Sequence, residues 1–171
     1  MTISATAAYL ASLGFFSATI WAGAMDLVTM KIRNEIVLFL LGTYAALAPL
    51  AGLDPIAIGW SAAAASAVLL CMFIFFGLGW IGGGDAKLAS VVALWLGPEH
   101  VPTYLLYTAL FGGALTLIIL QFRLFALPGF CLDVFWIRRL HAKESGIPYG
   151  LAIASAAVFV FPDTSWMIID I

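Results

Sequence analysis

The chain has 171 residues, of which 64% are hydrophobic and only 9% are charged, and its formal net charge is −2. A soluble globular domain has about 45–50% apolar and about 25% charged residues. The mean hydropathy of +1.12 therefore excludes a soluble enzyme and predicts an integral membrane protein. Because a spanning helix needs roughly 20 apolar residues, we expect about six spans and no separate soluble domain.

The apolar runs are continuous rather than alternating, which predicts α-helices and not barrel strands. The first run has no Lys or Arg before it and is too long for a secretory signal, so we expect a membrane span there. The predicted fold class is an all-α integral membrane protein, with residues 1–171 forming a single polytopic domain. In chain order, the predicted spans are 5–25, 36–53, 56–79, 85–97, 103–122 and 149–168.

The polar breaks between these runs predict the orientation. All Lys and Arg residues fall after the first run, beside the glycine loop at 82–84, or between the fifth and sixth runs; they are Lys31, Arg33, Lys87, Arg123, Arg138, Arg139 and Lys143. Positive charge is retained in the cytoplasm, so these segments should face inward and both termini outward.

Two acids stand next to apolar runs on the same predicted side. Asp85 follows Gly82, Gly83 and Gly84, and Asp26 ends the first run. An acid at the edge of a bilayer is expensive, and glycines allow the backbone to approach it closely. We therefore predict that Asp26 and Asp85 share a wet pocket at the cytoplasmic side.

Two carboxylates in one pocket can hydrolyse a peptide without a metal. Like charges cannot both ionise easily, so one acid activates water while the other, protonated, polarises the scissile carbonyl. Two other functions remain compatible with the same sequence. A small transporter would pass ions or protons through the two acids, and a non-catalytic assembly subunit would not need them.

The remaining reactive side chains favour no cofactor. Cys71 and Cys131 lie in different segments without a Cys-x-x-Cys pair, and neither His100 nor His141 stands near another ligand at metal spacing. We expect no metal, no organic cofactor and no nucleic-acid partner, with the lipid bilayer as the surroundings.

Three segments resemble a known family. Gly82-Gly83-Gly84-Asp85, followed by Ala-Lys, resembles the Gly-x-Gly-Asp motif of the prepilin peptidases, the type IV leader peptidase family of aspartic membrane proteases. Residues 26–34 are similar to the family's first motif, an Asp followed by Ile-Pro-Asn, and residues 146–150 are similar to the start of its last helix.

The resemblance implies an endopeptidase that removes the short basic leader of a prepilin or pseudopilin at the cytoplasmic side of the bacterial inner membrane. Asp26 and Asp85 would be the catalytic pair. Gly82, Gly83, Gly84 and Lys87 would form the active-site loop, with Asn34 and Pro148 in support. The small size and the lack of a cysteine-rich insertion imply the tight-adherence (Tad/Flp) pilus branch, with peptidase activity alone.

Two features leave the site's shape open. Arg33 stands where the family usually has proline, so we expect the junction before the second span to become more helical. The long 124–148 connection mixes aromatic and basic residues, which is typical of a helix lying on an anionic inner leaflet, where it would gate the acids or only orient the protein. Lys87 would pair with a carboxylate of the substrate or with a lipid phosphate.

Overall fold

The computed structural model describes residues 3–167, apart from the side chains at positions 3, 130 and 132. All six predicted helices are present, but the last one, predicted over 149–168, ends at Val160 and is followed by a 3-10 turn and non-helical residues. The end of the last predicted span, residue 168, lies outside the described residues. The helices are α1 (Ile3–Thr29), α2 (Asn34–Leu50), α3 (Pro55–Gly77), α4 (Gly83–Leu96), α5 (Val101–Phe122), α6 (Gly129–Leu132), α7 (Phe135–His141) and α8 (Tyr149–Val160), followed by a 3-10 turn at Phe161–Asp163.

Only some of these helices are long enough to cross a bilayer. Within residues 3–167, α1, α3 and α5 have the necessary length and hydropathy, whereas α2 and α8 are shorter apolar helices. The 14 residues of α4 rise only about 21 Å, against a hydrocarbon core of about 30 Å. Over the described residues, the protein is thus an all-helical, multi-pass membrane protein in which α4 is shorter than the hydrocarbon core is thick.

The short helix α4 is the centre of the bundle. It packs against α2, α3 and α8, and its residues 88–96 are all buried. In contrast, α3 and α5 leave most of their apolar side chains exposed, as expected for helices that face lipid. Small residues allow the inner helices to approach: a Cβ on Gly23 of α1 would lie 2.9 Å from the Ala154 Cβ of α8.

The connections gather at two ends of the bundle. We call the first the Asp26 end; it contains residues 26–34, 82–87 and 122–150. The other, the Trp166 end, contains residues 51–54, 97–100 and 161–166. At the Trp166 end, the Ser4 hydroxyl donates to the Ala51 carbonyl at 2.7 Å and the Trp166 indole donates to the Trp95 carbonyl at 2.9 Å. The predicted grouping of all Lys and Arg residues at one end is confirmed, since each belongs to the Asp26 end.

Two predicted boundaries at the Asp26 end need correction. The first helix does not stop at residue 25 but continues to Thr29, because the Thr29 hydroxyl donates to the Met25 carbonyl and Met30 closes the helix with a φ of 54°. The junction at Arg33 is not helical either. Arg33 precedes α2 in an extended conformation, with φ −73° and ψ 134°, which proline could also adopt.

Candidate active site

Asp26 lies within the last turn of α1, where its side chain is only 6% exposed. Its Oδ2 accepts a 2.7 Å hydrogen bond from the backbone N–H of Gly150, at the start of α8. A Cβ on Gly150 would lie 2.8 Å from that oxygen and 2.8 Å from the Cδ1 of Ile32. Real Cβ atoms do not approach so closely, so only glycine allows α8 to donate to Asp26 in this way.

Asp85 lies in the first turn of α4 and is partly buried. Its Oδ2 accepts from the N–H of Gly82, the residue that precedes the helix, at 3.3 Å. An acid in the first turn of a helix is favoured by the helix dipole. Burial, and then the nearby Asp26 carboxylate, raise the pKa of Asp85 to about 6, although the Gly82 N–H lowers it in part. The two acids are therefore close enough to interact.

The glycines before Asp85 are packed against other side chains. A Cβ on Gly84 would lie 3.1 Å from the Cβ of Ile32, and a Cβ on Gly83 would lie 3.3 Å from the Phe76 ring. The sequence predicted that the glycines leave room for a substrate. That role stays a prediction. The close packing of Gly84 on Ile32 brings the loop of Asp85 towards the segment that follows Asp26.

The two carboxylates of Asp26 and Asp85 can act together in acid–base chemistry. Two neighbouring carboxylates retain one proton between them over a range of pH, so that a base and an acid are present together. A water molecule held by the pair would be activated by the ionised member. Within residues 3–167, no group of three or more His, Cys, Asp and Glu side chains is arranged to hold a metal ion, and the predicted absence of metal stays a prediction.

A comparison with models of known protein families identifies the family to which the chain belongs. The model of the type IV leader peptidase family matches residues 13–117, which is more than half of the chain and includes both Asp26 and Asp85. The chain belongs to the type IV leader peptidase family. No curated protein and no solved structure matches this leader peptidase. The predicted resemblance to the family is thus confirmed, and the protein is a protease of the leader peptidase kind.

The structure also places the supporting residues named from the leader peptidase motifs. Lys87 Nζ donates to the Asn34 Oδ1 at 3.0 Å, which joins the first turn of α4 to the first residue of α2. Pro148 is fully buried and directly precedes α8. Asn34 and Lys87 therefore contact each other. Pro148 lies at the start of α8, two residues before the Gly150 N–H that donates to Asp26.

Other residues of this leader peptidase site were not predicted as site residues. Gly150 and Ile32 belong to quoted motifs, but their contacts with Asp26 and Gly84 were not foreseen. Arg139 of α7 was assigned to orientation and to the surface helix of the 124–148 connection, without a contact to either acid. Its guanidinium donates to the Val28 carbonyl of α1 and lies within electrostatic range of Asp26. A glycine two residues after a proline at a helix start was the available signal for Gly150; Arg139 had none.

The side chains of Arg123 and Arg139 both tie the 124–148 connection to the rest of the leader peptidase. Arg123 donates to the carbonyls of Leu140, Ser145 and Gly146 at 2.8, 2.8 and 2.9 Å. These hydrogen bonds hold the connection against the end of α5, whereas the hydrogen bond from Arg139 to Val28 holds α7 against the end of α1. The prediction of a helix in this connection is confirmed by the seven residues of α7, whereas its proposed position on a lipid surface is not tested.

Proposed function

We propose that this leader peptidase is an aspartic endopeptidase in which Asp26 and Asp85 are the catalytic pair. The observation that supports this most directly is the packing of Ile32 against both Gly84, the neighbour of Asp85, and Gly150, the residue that donates to Asp26, which places both carboxylates at one end of the bundle. Burial, and then the Asp26 carboxylate, raise the pKa of Asp85 to about 6. Each acid also accepts a backbone hydrogen bond that orients it, from Gly150 or from Gly82. The pair supplies a base and an acid without any further group.

The two acids differ in their surroundings, and we assign them different roles. Asp26 has the shorter hydrogen bond, 2.7 Å against 3.3 Å for Asp85, and it alone has Arg139 nearby. Hydrogen bonds and a cation favour a carboxylate. We therefore assign the activation of water to Asp26. Asp85, with a pKa of about 6, retains the proton that polarises the scissile carbonyl and later protonates the leaving amine.

The proposed substrate is a prepilin or pseudopilin whose short basic leader is removed at the cytoplasmic side of the bacterial inner membrane. Family membership supports a pilin-type substrate. The seven Lys and Arg residues at the Asp26 end support a cytoplasmic position for the acids. In this proposal residues 1–171 act as one domain, Gly82 to Gly84 and Lys87 form the substrate-facing loop, and Asn34 and Pro148 hold that loop and α8 in place.

We assign the enzyme to the short, Tad/Flp type with peptidase activity alone. Cys71 and Cys131 stand singly in the sequence, so the chain offers no cysteine-rich insertion of the kind found in bifunctional relatives. The helix α7, held by Arg123 and Arg139, would cover the acids and separate to admit the extended leader.

Co-expression with a candidate prepilin tests the proposal. Asp26→Asn and Asp85→Asn should each reduce leader removal by about a thousandfold or more, because each removes one member of a unit that works only as a pair. The readout is the mobility shift of the pilin on a gel, with an immunoblot to show that the variant accumulates in the membrane. Chelators should leave the rate unchanged.

Glu35→Gln provides the matched control. Glu35, the second residue of α2, is an exposed acid next to the Asp26 end, and its ion pair with Arg33, at 2.5 Å, lies in solvent. Its replacement should leave cleavage unchanged. Full cleavage by either Asn variant would exclude the acid pair. Ion flux that depends on membrane potential and is lost in both variants, without any leader removal, would favour a transporter instead.

A further inference from the structure

The helices α2 and α3 both pack against α4 more closely than against each other, which leaves a groove above α4. We call it the α2–α3 groove, and its volume is about 200 Å³. Neither Asp26 nor Asp85 lines it. Residues of all three helices form its walls and floor, among them Leu41, Ala65, Leu69, Lys87, Ser90 and Leu94.

The groove opens to the outside of the bundle, between two helices. Leu41 of α2 is 48% exposed and Leu69 of α3 is 42% exposed, so both walls can be reached from the surrounding lipid. Asp85 and Lys87 are two residues apart on α4, so their side chains point about 200° apart around the helix axis. The backbone of Lys87 belongs to the proposed substrate-facing loop, whereas its exposed side chain lies at the end of the groove.

The serine hydroxyls of the groove are already engaged. Ser90 Oγ donates to the Ala86 carbonyl at 2.6 Å, within α4. Ser66 Oγ donates to the Ala62 carbonyl at 2.8 Å, within α3. An extended peptide in this groove would bury backbone N–H and C=O groups without partners, which is unfavourable. A hydrocarbon chain has no such groups, so the surface suits a chain better than a peptide.

The size of the groove also excludes a whole helix. With a diameter of about 10–12 Å and a pitch of about 5.4 Å, one turn of a helix occupies roughly 400–600 Å³. The groove holds about 200 Å³, less than a single turn. A helix could therefore place only its edge there, whereas a single acyl chain is narrow enough to enter.

One cation without a counter-ion stands at the end of this apolar surface. Lys87 Nζ donates to the Asn34 Oδ1 at 3.0 Å, and this partner is a neutral amide. Among the described residues Lys87 forms no ion pair, whereas the nearby Arg33 is paired with Glu35. The long side chain of lysine can reach the level of the lipid headgroups, where anionic phosphates attract it. The charge of Lys87 therefore favours an anionic partner.

We propose that the α2–α3 groove binds an anionic phospholipid from the leaflet at the Asp26 end. One acyl chain would lie between Leu41 and Leu69, and the phosphate would accept a hydrogen bond from Lys87 beside Asn34. The bound lipid joins α2 to α3 next to the helix that carries Asp85. This binding does not depend on the proposed peptidase reaction. A membrane-embedded segment of the substrate is the competing occupant.

A titration of the purified full chain in detergent tests the binding. Phosphatidylglycerol is added and the melting temperature is followed, because a ligand of the folded state stabilises it. Phosphatidylcholine with the same acyl chains has no net charge and is the comparison. Half-maximal stabilisation should need about fivefold less phosphatidylglycerol than phosphatidylcholine, the effect of one cation near a membrane surface. Inorganic phosphate, which has no chain, should not stabilise the protein.

Two variants of Lys87 relate this preference to its charge. Lys87→Gln should remove the preference for phosphatidylglycerol, whereas Lys87→Arg keeps the positive charge and should retain the preference. Lys31→Gln is the matched control, because Lys31 is an exposed cation of the Asp26 end that does not line the groove. Its preference should equal that of the wild type.

A second pair of variants tests the position of the acyl chain. Ala65→Leu fills the groove and should abolish the saturable stabilisation by both lipids. Ala63→Leu is the control, since Ala63 is an exposed residue of α3 that does not line the groove, and it should respond like the wild type. The melting temperatures without lipid show whether both variants fold. If Ala65→Leu does not fold, the Lys87 variants still decide the proposal.

Four results would overturn the proposal. The first is half-maximal stabilisation of the wild type at equal concentrations of the two lipids, or by inorganic phosphate alone. The second is an equal loss of preference in Lys31→Gln and Lys87→Gln, which would indicate diffuse surface charge. The third is an equal response of folded Ala65→Leu and Ala63→Leu. The fourth is loss of leader removal by Lys87→Gln while its lipid preference remains, which would assign Lys87 to the substrate.

Discussion

The two ends of the bundle bury polar groups in opposite ways. At the Asp26 end, a carboxylate with 6% exposure is satisfied by a backbone N–H that reaches it only because Gly150 has no side chain. At the Trp166 end, the buried polar groups are indole N–H groups that donate to carbonyls within a cluster of stacked rings. The first arrangement leaves a charge that can titrate; the second leaves none. Chemistry is therefore expected at one end and stability at the other.

The largest effect should come from the aromatic cluster. Trp95 is 1% exposed and its ring contacts Phe15, Tyr44, Phe161 and Trp166. Trp95→Ala should lower the free energy of unfolding by about 3–5 kcal/mol, because it opens a cavity and frees the Leu40 carbonyl. Thermal unfolding in detergent measures the loss.

Trp60→Ala is the control for this prediction. Trp60 lies near the start of α3, beside the Trp166 end, but is 64% exposed. Its removal should change the melting temperature little. Equal destabilisation by the two variants would mean that the Trp166 end is not held together by its buried rings, and the contrast between the ends would fail.

The next largest effect should come from a side chain placed at Gly150, where the backbone of α8 contacts the Asp26 carboxylate. Gly150→Ala would place a Cβ 2.8 Å from the Asp26 Oδ2, so α8 must move and the carboxylate must lose its hydrogen bond. Leader removal should fall about a hundredfold, as expected when a reacting group is displaced by about 1 Å. Initial rates of prepilin cleavage measure it.

Gly146→Ala, in the same connection, is the matched control for Gly150. A Cβ at that position meets nothing within 4 Å. Cleavage by this variant should be close to that of the wild type. If both variants are equally active, the Gly150 contact has no part in the reaction.

A smaller effect should appear in the stability of Asp85 variants. The folded-state pKa of Asp85, about 6, lies above its ordinary value of 3.8, so between these values the folded protein binds more protons than the unfolded chain. The free energy of unfolding must then fall as pH rises from about 4 to 6. Asp85→Asn resembles the protonated acid and can still accept from Gly82. It should stabilise the protein by about 1–3 kcal/mol at about pH 7.5.

The pH dependence provides the check on this prediction. The gain in melting temperature for Asp85→Asn should shrink as the pH is lowered towards about 4, where the wild-type acid is also neutral. A loss of stability at neutral pH would show instead that the Asp85 charge is favourable in the folded state. That result would mean that the buried charge at the Asp26 end does not lower the stability of the protein, and the contrast with the Trp166 end would be lost.

The sequence predicted the helices and the meeting of the two acids. It did not predict which helices are buried in the protein and which face outward. Long apolar runs identify helices because a bilayer requires them, and two intervening helices return the chain to its starting side. However, lipid is as apolar as a protein core. The composition of α3 and α4 therefore could not show that α3 faces outward while residues 88–96 of α4 are buried.

The hydrogen bonds of the site were beyond prediction for a different reason. The bond from Gly150 to Asp26 joins residues 124 positions apart, and that from Arg139 to Val28 joins residues 111 positions apart. Such contacts depend on the docking of whole helices and leave no local pattern. The glycine motif at 82–84 did not indicate that Ile32 would be the neighbour of Gly84.

The smallest expected effect concerns Arg33, in the loop that joins α1 to α2 at the Asp26 end. Its φ of −73° is already suitable for proline, and its backbone N–H donates no hydrogen bond among the described residues. Arg33→Pro should therefore stabilise the protein by about 0.5 kcal/mol, because proline restricts the unfolded chain. The lost ion pair with Glu35 is solvent-exposed and should contribute little. Glu35→Gln, which breaks the same ion pair without proline, separates the two contributions. A melting temperature below that of Glu35→Gln would show that the loop leading from Asp26 to α2 needs a conformation that proline prevents.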